Sequence, residues 1–203
     1  MSPSTPGSIA RMKSHDGFSL LEVLVSLLIL CIGLLGLAGL QTKANMLEME
    51  AYQRSIALQL VKDMASRVSS SREFLDALED ATDEGAVFGA NTSLAEGACD
   101  SPGTAALRQV CEWHAALTGA AATVGAASIG APIGMRGCVI EDTQSTTALR
   151  EFVVVGVWQG ITPTASPPDG FPGAECDPLE DFGGTGLRRA IVTRVLIPRL
   201  AAE

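Results

Sequence analysis

The dominant pattern in the sequence is a long apolar run near the N-terminus. Between Phe18 and Leu40 only Ser19, Glu22 and Ser26 are polar. As a helix the run would be about 35 Å long, at about 1.5 Å per residue, and a bilayer core is about 30 Å thick. We therefore predict that this run is one transmembrane helix.

The helical pattern continues beyond the apolar run, because residues 41–71 contain neither Gly nor Pro. One apolar stripe recurs every three or four residues, at Met49, Tyr52, Ile56, Leu60, Met64 and Val68. The charges lie largely off this stripe, at Glu50, Arg54, Lys62 and Arg67. Heptads are not sustained long enough to favour a coiled coil. We predict one continuous helix over residues 18–71, apolar all round in its first half and amphipathic in its second.

The chain after residue 71 changes to shorter elements. Residues 72–84 would add helical turns or form a separate short helix, and residues 85–99 are predicted to be a loop. Ser101 and Pro102 suggest the start of a second helix that ends at Gly119. A connector of small residues follows over 119–137.

Three strands are predicted near the C-terminus, from their Val-rich or alternating character. They cover Gly137–Asp142, Arg150–Gly160 and Arg188–Arg199. The segment 161–186 is rich in Pro and Gly and is predicted to be a long loop. Long helix, small helix and antiparallel meander together predict an α+β head over residues 72–203.

Composition and charge argue against nucleic-acid binding and indicate what the core is made of. The net charge is −9, and residues 1–17 carry +1, so the remainder carries −9 − 1 = −10. A basic footprint for nucleic acid is therefore missing. Aromatic residues make up only 4% of the chain, so the core is expected to consist of Ala, Leu, Val and Ile.

One of the five cysteines lies in the apolar run, and the other four lie in the rest of the chain. Cys31 lies inside the apolar run, where it would act as a small hydrophobic residue. The other four form an even set without the close pairs of a zinc site: Cys99, Cys111, Cys138 and Cys176. An exported head predicts two disulfides, with three pairings open, whereas a cytosolic head would hold four buried thiols.

No catalytic set or metal site is predicted from the motifs. His114 has only Glu112 beside it, and a structural role on a helix face is favoured. The scattered aspartates, Asp142, Asp169 and Asp177, lack calcium-loop spacing. Trp113 and Trp158 are expected to be core or interface residues rather than ligand stackers. We therefore expect no enzyme activity and no cofactor.

The polar leader gives the apolar run an orientation. Arg11 and Lys13 would stay on the cytoplasmic side of a membrane. A secretory signal has an apolar region of about 7–15 residues and a small-residue cleavage site after it. This run is longer, and residues 38–44 match such a site only weakly, so simple secretory cleavage is the minority interpretation.

The segment Gly17-Phe18-Ser19-Leu20-Leu21-Glu22, which follows the basic leader, resembles the N-terminus of type IV prepilins. Together with the run to Gln41 it is similar to the pilus modification, or PilV-type, minor pilins. The resemblance is specific over residues 11–71 and weaker over 113–117, 152–158 and 188–195. It implies a type IV pilin fold, in which a long N-terminal helix packs on a small antiparallel sheet.

The resemblance implies roles for individual residues. Gly17 would precede the bond cut by a prepilin peptidase, which removes the cytoplasmic leader 1–17. Phe18 would become the N-methylated N-terminus. Glu22 matches the family's glutamate, and this chain would be the substrate of that chemistry rather than its agent.

Glu22 has two possible partners in this picture. An ionised acid at mid-bilayer costs about 2.5–3.5 kcal/mol on insertion scales. Glu22 would either pair with its own Phe18 amine or reach the headgroups, or it would pair with the amine of a neighbouring subunit and direct docking. The resemblance favours docking.

Three glycines interrupt the apolar run, at Gly33, Gly36 and Gly39. Tight helix packing, local unwinding during assembly and ordinary glycine tolerance in a membrane helix all remain open.

The resemblance implies a minor pilin held in the bacterial inner membrane, with its head in the periplasm, that later enters the pilus filament. Its partners would be other minor pilins, the major pilin, the peptidase and the assembly platform, and a tip adhesin is a further candidate. A type II secretion minor pseudopilin is the first rival. A periplasmic enzyme or binding protein with an uncleaved signal anchor is the second.

Overall fold

The structure is a computed structural model. It describes residues 17–70, 73–74, 77–78, 87–92, 94, 99–142, 149–165, 168, 170–172, 176, 182 and 186–198. Outside these ranges lie the leader residues Arg11 and Lys13 and Arg199, the last residue of the third predicted strand. Most of the predicted helical extension over 72–84 also lies outside them. Within that extension residues 73–74 and 77–78 are helical.

One long helix, α1, covers Leu20–Ser70. It crosses two compact units, residues 1–44 and residues 45–203. In the first unit every described residue of the helix is exposed. In the second unit α1 buries one stripe, formed by Gln53, Ala57, Val61, Met64 and Val68.

The buried stripe of α1 corrects the predicted one. Met64 and Val68 are buried as expected, but Met49 and Tyr52 are exposed. The helix turns the next position, Gln53, toward the interior instead. Gln53 precedes the fully buried Ala57 and Val61 at four-residue intervals and so lies on their face of the helix, whereas Ile56 and Leu60 of the predicted stripe are partly buried.

The head is built on a four-stranded antiparallel sheet in the order β1-β4-β5-β6. These strands cover Val87–Gly89, Arg136–Glu141, Leu149–Gln159 and Arg188–Pro198. The three predicted strands are confirmed as the meander β4-β5-β6. Strand β1 lies in the segment predicted to be a loop and pairs with β4, where Phe88 is opposite Gly137.

A second helix, α2, covers Ala105–Leu117. Its N-cap is Thr104, whose hydroxyl accepts a hydrogen bond from the Leu107 N–H at 3.1 Å, so the predicted start at Ser101 and Pro102 was wrong. After α2, the predicted connector contains a hairpin of β2 (Thr123–Val124) and β3 (Ala127–Ser128).

Strand β5 is buried on both faces because its side chains alternate between two apolar clusters. Phe152, Val154 and Trp158 face the cluster that contains the α1 stripe and α2. Val153, Val155 and Val157 face the opposite cluster, with Cys138, Cys176 and Phe182. Because both faces of β5 are covered, nearly every residue of the strand is apolar.

Two disulfides are present among the four cysteines of the head. Cys99 pairs with Cys111 of α2, and Cys138 of β4 pairs with Cys176. The second bond joins the predicted loop 161–186 to the sheet face that carries Val153, Val155 and Val157. The α+β class is confirmed, and a long apolar N-terminal helix followed by a small antiparallel sheet fits the pilin fold.

Candidate processing and assembly site

The predicted cleavage point lies in open chain just before α1. Gly17, Phe18 and Ser19 have no regular secondary structure, and the helix begins at Leu20. The Phe18 side chain is 86% exposed, and no atom lies within 4 Å of where a Cβ on Gly17 would be. A chain outside regular secondary structure, with a glycine that has no side chain, allows the backbone to approach a protease closely.

Glu22 lies in the first turn of α1, whose start is fixed by the Ser19 carbonyl. This oxygen accepts hydrogen bonds from the N–H groups of Glu22 at 3.0 Å and Val23 at 3.3 Å. The N-terminus of a helix carries a partial positive charge, so a carboxylate there is favourable. Glu22 therefore occupies a position that its own helix favours for a carboxylate.

The sequence Ser19-Leu20-Leu21-Glu22 matches a capping box, in which the serine and glutamate side chains would bond each other's backbone N–H. No such reciprocal bonds form, since the Glu22 N–H goes to the Ser19 carbonyl. Within residues 17–70 the Glu22 carboxylate has no hydrogen bond or ion pair. This side chain is therefore available to a partner outside this segment.

The nearby hydroxyl groups are satisfied locally, in contrast to Glu22. Ser26 donates to the Val23 carbonyl at 2.9 Å, and Thr42 donates to the Ala38 carbonyl at 3.1 Å. Such back-bonding lets a hydroxyl sit in an apolar environment at low cost. Glu22 therefore differs from Ser26 and Thr42, because its side chain has no partner within residues 17–70.

The first part of α1 needs an apolar environment. Its most apolar 18-residue window has a mean hydropathy of 2.8, and none of that window is buried. Among the described residues, α1 is the one helix long and apolar enough to cross a membrane. Exposed apolar surface costs roughly 25 cal/mol per Å² in water, so covering this segment with lipid or with neighbouring helices would be favourable.

Gly33, Gly36 and Gly39 lie in unbroken helix. No atom comes within 4 Å of a Cβ position on any of the three. Successive glycines three residues apart are neighbours on a helix surface, so they form a shallow strip without side chains. This strip would let another helix approach closely.

His114 has a structural contact in the head. Its Nδ1 accepts a hydrogen bond from the Gly89 N–H at 3.2 Å, which joins α2 to β1. Burial lowers the pKa of His114 below its usual 6.5, which favours the neutral form that this bond needs. Over the described part of the chain, no group of three or more His, Cys, Asp or Glu is placed to hold a metal ion.

Both tryptophans belong to the core. Trp113 is fully buried, contacts Phe88 with ring centroids 5.4 Å apart, and donates from Nε1 to the Leu60 carbonyl of α1 at 3.2 Å. Trp158 is buried in the same cluster. The core interpretation of the two residues therefore holds.

A polar cluster that the sequence did not reveal joins α1 to the sheet. The Glu50 carboxylate pairs with the Arg189 guanidinium and accepts a hydrogen bond from the Thr162 hydroxyl at 2.8 Å. Arg189 also donates to the carbonyls of Thr162 at 2.6 Å and Gly186 at 2.9 Å. We name Glu50, Arg189 and Thr162 the Glu50 clamp.

The clamp shifts the titration of Glu50. Burial raises the pKa of the carboxyl, but the hydrogen bonds from Thr162 and Arg189 and the charge of Arg189 outweigh it, so the pKa lies below the usual 4.5. Glu50 was predicted to lie off the buried stripe. Its position three residues before Gln53, on the same helix face, is the signal that would have placed it inside.

Comparison with known proteins bears on the N-terminus alone. Residues 12–38 match the family model of the prokaryotic N-terminal methylation motif. No curated protein and no solved structure matches the chain significantly. The match covers the proposed cut at Gly17 and Phe18, Glu22 and the start of the apolar run.

The motif and the fold together define a class. The chain has a prepilin-type N-terminus, which indicates a type IV pilin or a pseudopilin and implies processing by a prepilin peptidase. The exposed apolar helix behind the motif fits a membrane-anchored pilin. The same features favour a structural subunit over an enzyme.

Proposed function

We propose that this chain is a minor type IV pilin of the pilus modification kind, which primes filament assembly and is incorporated in or at the tip of the filament. The peptidase cuts after Gly17 and methylates Phe18. The observation that carries the proposal is the methylation motif placed directly before an exposed apolar helix.

The open backbone at Gly17 and Phe18 supports the cleavage step. The apolar helix anchors the chain in the inner membrane, with the acidic, disulfide-bonded head in the periplasm. The two disulfides support an oxidising compartment for the head. The leader charges Arg11 and Lys13 favour the cytoplasm for the N-terminus.

Glu22 acts in the next step, as the docking residue. Its carboxylate has no partner in its own helix, and the cut creates an amine on Phe18 of each subunit. A Glu22 carboxylate facing the Phe18 amine of a neighbour would neutralise both charges in lipid, where unpaired charges are costly. Major and minor pilins are thus the partners proposed for this end of the helix.

The test follows processing and incorporation separately. In membranes and in sheared filaments, mass spectrometry of the wild type should find a chain that begins with N-methylated Phe18. Glu22→Ala should be cleaved normally but absent from filaments. Glu48→Ala, which removes an exposed acid further along α1, is the matched control and should be incorporated normally.

Two results would contradict the proposal at different points. An N-terminus at Met1 or Ser2 in the mature protein would refute the processing step and favour a signal-anchored periplasmic protein. Normal incorporation of Glu22→Ala would refute only the docking role of Glu22.

A type II secretion pseudopilin shares this N-terminus, and the methylation motif fits it as well. The two functions differ in the partners of the mature chain. Co-purification of the cleaved protein with pilus subunits would support the pilin, and co-purification with secretion subunits would support the pseudopilin.

A further inference from the structure

The apolar half of α1 carries one charge near each of its ends. Over residues 18–44 the charged side chains are Glu22 and Lys43. Both lie in one unbroken helix, because α1 covers Leu20–Ser70. The docking role proposed for Glu22 does not account for the lysine at the other end.

The Lys43 ammonium has no acidic partner on its own helix. The positions that could face it, three and four residues away, hold Gly39, Leu40, Met46 and Leu47. Over the part of the chain that the structure describes, Lys43 is exposed and takes part in no ion pair or hydrogen bond. Its positive charge is therefore available to a group outside the chain.

The helix geometry places Lys43 just beyond the apolar segment. Leu40 ends the apolar run, and Lys43 follows three residues later, which is about 4.5 Å along a helix. The headgroup layer on each side of a bilayer core is about 5–7 Å deep. A bilayer that covers the apolar run therefore surrounds Lys43 with headgroups, whose phosphate groups are negatively charged.

The spacing of the two charges agrees with this placement. Glu22 and Lys43 are separated by 21 positions, or about 31 Å of helix, and a bilayer core is about 30 Å thick. When Lys43 lies in one headgroup layer, Glu22 lies at the opposite boundary of the core rather than inside it. A charge costs less there, so one position of α1 across the bilayer suits both residues.

The surface of the helix also leaves room for the lysine side chain. Side chains on a helix lean toward its N-terminus, so the aliphatic stem of Lys43 covers the surface at Gly39. No atom lies within 4 Å of a Cβ position on Gly39. The adjacent Thr42 hydroxyl donates to the Ala38 carbonyl at 3.1 Å and does not compete for a phosphate. Lys43 can thus keep its stem on the apolar helix while its ammonium reaches a headgroup.

We propose that Lys43 binds the phosphate group of a lipid in the periplasmic leaflet and thereby fixes the depth of α1 in the membrane. The inference rests on the membrane anchoring described under the proposed function. At this depth the Phe18 amine and Glu22 lie at the cytoplasmic boundary, where they would meet another subunit. Entry into a filament has to break the contact, and an exposed ion pair allows this because it contributes little stability.

Solid-state NMR of the full chain in vesicles of phosphatidylethanolamine and phosphatidylglycerol tests the contact. The lysines of the chain are Lys13, Lys43 and Lys62. Lys13→Arg with Lys62→Arg leaves Lys43 as the one lysine, and in phosphate-free buffer its Nζ should be dephased by lipid phosphorus. Lys13→Arg with Lys43→Arg leaves the exposed Lys62 of the same helix, which should show no dephasing and is the matched control.

A spin label at position 45 measures the depth. The label is attached to Asn45→Cys, and Cys31→Ser removes the exposed free cysteine. Its collisions with oxygen, which dissolves in lipid, are compared with those of a water-soluble nickel reagent. Lys43→Gln should raise the ratio of oxygen to nickel collisions, because without the charge the helix sinks further into the core. Lys43→Arg should leave the ratio unchanged, because it keeps the charge.

Two results would overturn the proposal. A Lys43 Nζ without phosphorus dephasing, in a chain recovered with the vesicles, would exclude the lipid contact. An unchanged collision ratio in Lys43→Gln would exclude the effect on depth. Failure of the proposed function gives different results: a chain not recovered with the vesicles would refute the anchoring and this proposal with it, whereas an uncleaved N-terminus would refute only the processing.

Discussion

At the scale of single residues, two glycines of the sheet allow the helices to pack closely against it. Gly137 of β4 lies under Trp113, and a Cβ there would be 2.4 Å from the indole Cη2 and 3.1 Å from the Leu117 Cδ1. Gly156 of β5 has the same function toward α1, where a Cβ would be 2.7 Å from the Val61 Cγ2. The two helices reach the sheet because these positions are glycine.

Gly137→Ala should therefore destabilise the head. The added methyl group overlaps a fully buried indole ring, and overpacking of this kind typically costs about 1–3 kcal/mol. The measurement is thermal unfolding of the detergent-solubilised chain, followed by near-ultraviolet circular dichroism of the tryptophans. Gly103→Ala is the control, because no atom lies within 4 Å of its Cβ position. Equal melting temperatures for the two variants would contradict this packing.

Long strands could be predicted from the sequence and short ones could not, because a sequence pattern needs several residues to be recognised. Strands β5 and β6 have eleven residues each, with Val-rich or alternating sequences, and their prediction was confirmed. Strand β1 has three residues, and the hairpin strands have two each. A segment that short has no detectable period, and it becomes a strand only because a partner strand lies beside it.

The position of a helix face depends on tertiary packing in the same way. The sequence showed the helical repeat of α1 but not which side of the helix faces the core, since apolar residues occur on more than one side. Met49 and Tyr52 belong to the predicted apolar stripe but are exposed, whereas Gln53 and Glu50, which lie off that stripe, are buried and partly buried. The N-terminal site could be predicted because its motif is local in sequence, whereas the Glu50 clamp joins residues more than a hundred positions apart.

The clamp makes the stability of the head depend on pH. The folded chain holds the pKa of Glu50 below the ordinary 4.5, so the unfolded chain takes up a proton first as the pH falls. The contribution of the clamp is therefore complete above about pH 4.5 and is lost as the pH falls through the folded pKa. At neutral pH, Glu50→Gln should cost about 1.5–3 kcal/mol, the range of hydrogen bonds to charged groups.

Chemical denaturation at pH 7 and at pH 3.5 measures this contribution. The difference in unfolding free energy between wild type and Glu50→Gln should shrink at the lower pH. Glu48→Gln, an exposed acid on the same helix, should show little difference at either pH. A Glu50→Gln effect that is the same at both pH values would mean that the charge of Glu50 is not what stabilises the contact.

At the scale of the whole molecule, the head depends on the compartment in which it folds. Its disulfides close segments of different length, with sequence separations of 12 for Cys99–Cys111 and 38 for Cys138–Cys176. In the chain-entropy model these correspond to about 3 and about 4 kcal/mol of stabilisation. The longer one also secures the cover over the valine face of β5, so its loss exposes apolar surface.

Removing each pair separately tests this difference. Cys138→Ala with Cys176→Ala should lower the melting temperature more than Cys99→Ala with Cys111→Ala, and it should increase binding of a dye specific for apolar surface. The two variants lose the same number of sulfur atoms, so each controls for the other. The wild type expressed in a reducing cytosol should be less stable than either of these two variants. If the Cys99–Cys111 pair proved the more important, the cover over β5 would not be what the longer disulfide maintains.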